Sequence, residues 1–114
     1  MSHRVLQLNS LIQQELSRAF LTEVSLNRHA LTTIAKVETS RDLDHAKIWV
    51  SVLPLEKGQN ILKTLQKNAG RLQSFLNARL VLRKIPRLKF VLDATELKAD
   101  RINRLLDAEF PKEV

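Results

Sequence analysis

Residues 64–76, with the sequence TLQKNAGRLQSFL, have the pattern of an amphipathic helix with a glycine near its centre. Apolar side chains recur at spacings of three and four on both sides of Gly70, and the stripe keeps its phase through this residue. A glycine inside a helix costs about 1 kcal/mol relative to alanine. The pattern therefore predicts one helix with a bend, or two helices that share a buried face.

The same stripe extends over a longer segment, from about Glu56 to Leu80. Pro54 and Pro86 bound the segment, because proline cannot donate to a strand ladder and disfavours helical geometry in the residue before it. The apolar positions of the stripe are Ile61, Leu62, Leu65, Ala69, Leu72, Phe75, Leu76 and Leu80.

Three other stretches have the pattern of strands. Residues 31–40 (LTTIAKVETS) and 46–53 (AKIWVSVL) are rich in β-branched residues, and RDLDH between them predicts the turn of an antiparallel hairpin. Residues 87–93 (RLKFVLD) alternate and predict a third strand. The polar faces of the second and third strands hold Lys47, Trp49 and Ser51, and Arg87, Lys89 and Val91.

Amphipathic helices are predicted near both ends of the chain. Residues 3–21 carry a stripe of Val5, Leu8, Ile12, Leu16, Ala19 and Phe20. A short last helix, capped by Asp93 or Thr95, has Leu97, Ile102, Leu105 and Leu106 at its apolar positions. This order predicts one α+β domain over residues 1–114, with a three-stranded sheet that carries helices on one face. The long bent helix permits strands two and three to be parallel.

Positive charge is concentrated in the middle of the chain. The net charge is +7, yet the 33 residues from Lys57 to Lys89 hold nine Lys and Arg and no acid, so the remainder sums to −2. Such a window favours RNA or DNA as a partner, while a solvated basic surface is the simpler interpretation.

The sequence offers little for catalysis or for a cofactor. It has no cysteine, its three histidines are scattered, and it contains no P-loop, G-x-G-x-x-G or G-x-S-x-G motif. Asp42 and Asp44 lie in the predicted turn, where capping is a commoner role than cation binding. We therefore expect no enzymatic activity, metal, cofactor or small-molecule substrate.

No apolar run reaches the roughly 20 residues of a membrane span, and the first 20 residues lack the unbroken apolar core of a signal peptide. We expect a cytoplasmic monomer with no membrane partner. Trp49, opposite the apolar face of its strand, is either a stacking platform or, more commonly, a residue packed under a helix or loop. Exposed aromatics on the strands are otherwise missing, so recognition of nucleic acid should depend on phosphates and shape.

Five segments together resemble the bacterial ribosome-binding factor A family. VETSRDLDHAKIWVSVL, residues 37–53, is similar to the hairpin signature of that family. The other four segments are RVLQLNSLIQQELSRAF, NAGRLQSFLNARLVLRKIP, LKFVLD and RINRLL, in the expected order. The resemblance covers nearly the whole chain. It implies a type II KH-like fold with a mixed sheet and a helix-kink-helix at about Asn68–Gly70, where an Ala-x-Gly bend replaces the usual Gly-x-x-Gly loop. The matching residues are Asn68, Ala69 and Gly70, so Asn68 stands where the family has the alanine of the bend.

The resemblance also implies a function. Members of the family are non-catalytic RNA-binding assembly factors that associate with free 30S small ribosomal subunits. They assist late maturation of 16S rRNA, including processing of its 5′ end, and are linked to growth in the cold. Neighbouring ribosomal proteins are further candidate partners. The alternatives are a stably bound small ribosomal protein and a general KH-type module that binds RNA or DNA.

Gly70 has two interpretations in such a domain. In the first, Gly70 exposes the N–H groups at the start of a second helix to phosphate, and Lys67 and Arg71 flank that point. In the second, Gly70 lets two helices wrap the sheet closely. A second basic group follows, although Arg79 and Arg83 also suit a helix C-terminus. The predicted RNA-binding residues are Lys63, Lys67, Asn68, Gly70, Arg71, Arg79, Arg83, Lys84, Arg87 and Lys89.

Overall fold

The computed structural model describes residues 3–93. In chain order, the elements are α1 (His3–Thr22), β1 (Leu31–Thr39), β2 (His45–Leu53), a 3-10 turn (Leu55–Lys57), α2 (Gly58–Lys67), α3 (Ala69–Arg79) and β3 (Arg87–Leu92). These elements match the predicted order, and the strand and helix bounds differ from the predicted ones by a few residues at most. The predicted last helix, with Leu97, Ile102, Leu105 and Leu106, lies outside the described residues.

The three strands form one sheet in the order β1-β2-β3. β1 and β2 are antiparallel, and β2 and β3 are parallel, because α2 and α3 carry the chain back to the end at which β2 began. The register of β1 shifts between Ile34 and Lys36, where Ala35 forms a bulge. This mixed sheet and the α+β class confirm the predicted fold.

The helices pack on one face of the sheet. Every second side chain of β2 is buried on that face, from Ala46 to Val52, as the alternation predicts. Phe20 of α1 and Phe90 of β3 meet in the core with their ring centroids 6.3 Å apart. The fully buried large aliphatic side chains from the three helices and from β2 are Ile12, Leu16, Ile61, Leu65, Leu72, Leu76, Ile48 and Val50.

A single residue, Asn68, separates α2 from α3. Its backbone angles, φ −101° and ψ 14°, leave the helical region, and its Nδ2 donates a hydrogen bond of 2.8 Å to the carbonyl oxygen of Thr64. The side chain therefore satisfies the end of α2 and does not cap the start of α3. Leu65 and Leu72, on the two sides of the bend, are both fully buried. The two helices thus share one apolar face, as the unbroken stripe predicts.

No helix within residues 3–93 is long and apolar enough to cross a membrane.

Candidate nucleic-acid interface

The ten predicted RNA-binding residues lie on different sides of the domain. Residues 63–71 belong to the helical layer around the bend. Arg87 and Lys89 are exposed on β3 and alternate with the buried Leu88 and Phe90, so they lie on the face of the sheet opposite the helices. Arg83 and Lys84 are exposed in the connection between α3 and β3. The acid-free window of the sequence therefore forms two or more separate surfaces.

Around the bend, Lys63 and Lys67 form no ion pair with any other residue between 3 and 93. Lys63 and Lys67 are exposed on α2, four residues apart and therefore on one side of the helix. They lie opposite Ile61 and Leu65, which α2 buries in the core. We call Lys63, Lys67, Asn68 and Gly70 the bend group.

Gly70, the second residue of α3, faces open space. A Cβ atom built on it would have no heavy atom within 4 Å, and its φ lies outside the left-handed region that favours glycine. Neither close packing nor backbone geometry therefore requires a glycine here. The interpretation that Gly70 lets two helices wrap closely finds no support, whereas an external molecule can approach the backbone at this point.

Two arginines of the predicted site connect α3 to α1 and to the residue that follows it. The Nη1 of Arg71 donates a hydrogen bond of 3.2 Å to the carbonyl oxygen of Glu23, directly after α1. The Nε of Arg79 lies 3.5 Å from a carboxylate oxygen of Glu15, and its guanidinium lies 4.9 Å from the centroid of the Phe75 ring. Both arginines therefore hold the helical layer together, whatever they contribute to binding.

Lys84 contacts the hairpin turn between β1 and β2. Its ammonium group forms an ion pair with the carboxylate of Asp44 and donates a hydrogen bond of 3.3 Å to the carbonyl oxygen of Asp42. The carboxylate of Asp42 accepts hydrogen bonds from the Ser40 hydroxyl at 2.6 Å and from the Asp44 N–H at 3.0 Å. Asp42 thus caps the turn, as expected, whereas the carboxylate of Asp44 pairs with Lys84. No group of three or more His, Cys, Asp or Glu side chains within residues 3–93 is arranged to hold a metal.

The hydrogen bonds of this turn affect the pKa of the Asp42 carboxyl group. The Ser40 hydroxyl, followed by the Asp44 N–H, lowers the pKa of Asp42 from 3.8 to about 2. Because the pKa is lower in the folded state, the carboxylate stabilises the turn above about pH 4 and loses this effect as the pH falls towards 2. A carboxyl-carbon NMR titration measures the pKa. Ser40→Ala should raise it towards 3.8, and an unchanged value would contradict the assigned cause.

The sequence prediction omitted two cations on the face of the sheet that carries Arg87 and Lys89. Lys36 and Lys47 fall outside the acid-free window, so charge counting did not identify them. The register places Lys47 next to Lys89, and Lys36 next to Trp49. The alternation of residues 46–53 had placed Lys47 and Trp49 on one polar face, but the pairing of β2 with β3 was needed to add Lys89 to it.

A mixed three-stranded sheet with helices on one face and a helix-bend-helix together define a KH-like α+β domain. It differs from the usual KH domain in having no Gly-x-x-Gly loop. The family model described as "Ribosome-binding factor A" matches residues 4–106. The chain therefore belongs to the ribosome-binding factor A family.

Individual comparisons show the same similarity in sequence and in fold. Ribosome-binding factor A of Thioalkalivibrio sulfidiphilus is 42% identical over 99 residues, which cover 84% of this chain and 75% of that protein. The crystal structure of ribosome-binding factor A from Thermus thermophilus superposes with a TM-score of 0.68 at 23% identity, covering 77% of this chain and 94% of that one. A homology model of the Thermus thermophilus factor, fitted into a cryo-EM map of its 30S complex, has a TM-score of 0.60 at 24% identity. It covers 82% of this chain and 96% of its own.

Proposed function

We propose that this protein binds the free 30S small ribosomal subunit and assists late maturation of 16S rRNA, including processing of its 5′ end, without catalysis. Membership of the ribosome-binding factor A family supports the subunit as partner, as does the 30S complex of the Thermus thermophilus factor. In this proposal the protein is a cytoplasmic monomer that needs no metal or cofactor, contacts neighbouring ribosomal proteins, and supports growth in the cold.

The bend group is the observation that carries the proposal. Two exposed lysines without ion pairs within residues 3–93 lie next to a glycine whose backbone is open to solvent. The Asn68 side chain does not cap the start of α3. The first turn of that helix, which carries the uncapped N–H groups and the positive end of the helix dipole, includes Gly70. Such a surface suits the phosphates of a folded RNA, and it has no need of a Gly-x-x-Gly loop.

Sedimentation of cell extracts on sucrose gradients tests the proposed function. We expect the protein to be found with free 30S subunits and to be missing from 70S ribosomes and polysomes, because an assembly factor leaves before translation. A deletion strain should accumulate unprocessed 16S rRNA, most strongly in the cold. Presence in polysomes would favour a stably bound ribosomal protein. Displacement from 30S subunits by an equal mass of duplex DNA would favour a general nucleic-acid-binding module.

Gly70→Ala should increase the stability of the fold and weaken its binding to 30S subunits. A Cβ at this position meets no heavy atom within 4 Å, so replacing glycine in a helix should raise the free energy of unfolding by about 0.5–1 kcal/mol. If RNA approaches the backbone here, the same methyl group should weaken binding to 30S subunits several-fold. Urea unfolding and subunit co-sedimentation measure the two effects. Equal binding by the alanine variant would remove Gly70 from the proposed interface.

A further inference from the structure

The face of the sheet opposite the helices is cationic. It carries Lys36, Lys47, Arg87 and Lys89, and the core side chains that pack against α1, α2 and α3 all belong to the other face. Glu38 is the one acidic strand residue on this face within residues 3–93, and it forms an ion pair of 3.5 Å with Lys36. We call this surface, together with Trp49 and Val91, the open sheet face.

The strand register places like charges side by side on this face. Lys47 of β2 is paired with Lys89 of β3. Like charges on adjacent strands repel each other and destabilise a sheet. Neither Lys47 nor Lys89 forms an ion pair within residues 3–93. A polyanion bound across β2 and β3 would relieve this repulsion, which favours a nucleic acid over an uncharged partner.

Trp49 provides an aromatic ring beside Lys47 on the open sheet face. It is partly buried on the open sheet face, with the ammonium of Lys47 5.2 Å from its ring centroid. Its Nε1–H is buried without a hydrogen-bond acceptor among residues 3–93, although buried indole N–H groups usually have one. A cavity of about 310 Å³ lies beside the ring, lined by Ala35, Lys36, Trp49 and Asp93. A second cavity, of about 510 Å³, includes Lys47 and Lys89 in its lining.

We propose that the open sheet face binds a single-stranded segment of RNA. One unpaired base enters the cavity beside Trp49 and stacks on its ring, while Lys47, Lys89 and Arg87 contact the flanking phosphates. A duplex does not fit this arrangement, because its bases are already stacked and paired. The inference rests on the proposed function in taking RNA as the ligand, and it adds a second surface on the other side of the domain from the bend group.

Intrinsic fluorescence tests the inference directly. The chain has one tryptophan and no tyrosine, so its indole emission reports on Trp49 alone. Titration of the full chain with a ten-nucleotide oligouridine should give saturable quenching. The slope of log affinity against log salt should be about −2, since each of three phosphate contacts contributes roughly −0.7. A duplex RNA of the same length should give no quenching.

Variants test whether the quenching of Trp49 arises from binding at the open sheet face. Lys47→Gln with Lys89→Gln should weaken the oligouridine titration about tenfold or more. Arg18→Gln with Arg28→Gln changes the charge equally at two exposed residues outside both the open sheet face and the bend group, and it should leave the titration unchanged. Trp49→Ala should weaken binding of a labelled oligouridine by roughly fivefold or more, and Trp49→Phe, which keeps a ring, should weaken it less. The lysine variants alter exposed or partly exposed side chains, so they test the surface even if Trp49→Ala does not fold.

The outcomes distinguish this inference from the proposed function. Co-sedimentation with 30S subunits but no quenching by oligouridine would overturn the inference and leave the proposed function intact. A Trp49 signal that changes only with 30S subunits, and never with RNA alone, would indicate a ribosomal protein as the partner of this face and would also overturn it. If the wild-type protein neither co-sediments with 30S subunits nor shows quenching by oligouridine, both proposals are overturned.

Discussion

Replacing Lys63 and Lys67 together by Gln is expected to weaken binding to 30S subunits about 15- to 30-fold at 0.15 M salt. Each phosphate contact contributes about 0.7–0.9 to the slope of log affinity against log salt, which at this salt concentration corresponds to roughly 3.8- to 5.5-fold in affinity. Both lysines are exposed, and neither is used in an ion pair within residues 3–93. The free energy of unfolding should therefore stay within about 0.5 kcal/mol of the wild-type value.

Co-sedimentation with purified 30S subunits at several salt concentrations measures this effect. The slope for the double variant should be shallower than that of the wild type by about 1.4–1.8. Arg18→Gln is a suitable control, since Arg18 is an exposed cation of α1 that is paired with Glu15. This control removes one charge outside the bend group and should change the slope little. Equal losses in the control and in either single lysine variant would indicate non-specific attraction and would contradict a localised interface.

Leu72→Ala is expected to lower the free energy of unfolding by about 2–5 kcal/mol. Leu72 is fully buried in α3, directly after the bend, where it belongs to the same core cluster as Leu65 and Leu76. The truncation leaves a cavity between the helical layer and the sheet, and the bend limits how far the helix can move to fill it. This loss is a large part of the roughly 5–15 kcal/mol by which domains of this size are stable.

Urea unfolding followed by circular dichroism measures the loss, with an expected fall of the midpoint by roughly 1–3 M. Ser74→Ala, at a position of the same helix outside the buried stripe, provides the control and should stay within about 0.5 kcal/mol of the wild type. A loss below about 1 kcal/mol for Leu72→Ala would mean that α3 does not pack on the sheet through this stripe.

The sequence by itself determined the elements and their buried faces. Periodicity is a local property, so the stripe that runs through Ile61, Leu72 and Leu76 predicted both helices and the shared face. Alternation did the same for Ile48 and Val50 of β2. Turn chemistry also acts over a few residues, and Asp42 caps the hairpin turn as expected.

The tertiary structure alone decided which cations share a surface. Counting charges along the chain grouped Arg71, Arg79 and Lys84 with Lys67, but long-range contacts direct the first three to Glu23, Glu15 and Asp44. The parallel pairing of β2 with β3 brought Lys47 next to Lys89, although 42 positions separate them in the sequence. Electrostatic energy depends on distance in space and on the medium between charges, which a one-dimensional charge pattern does not contain.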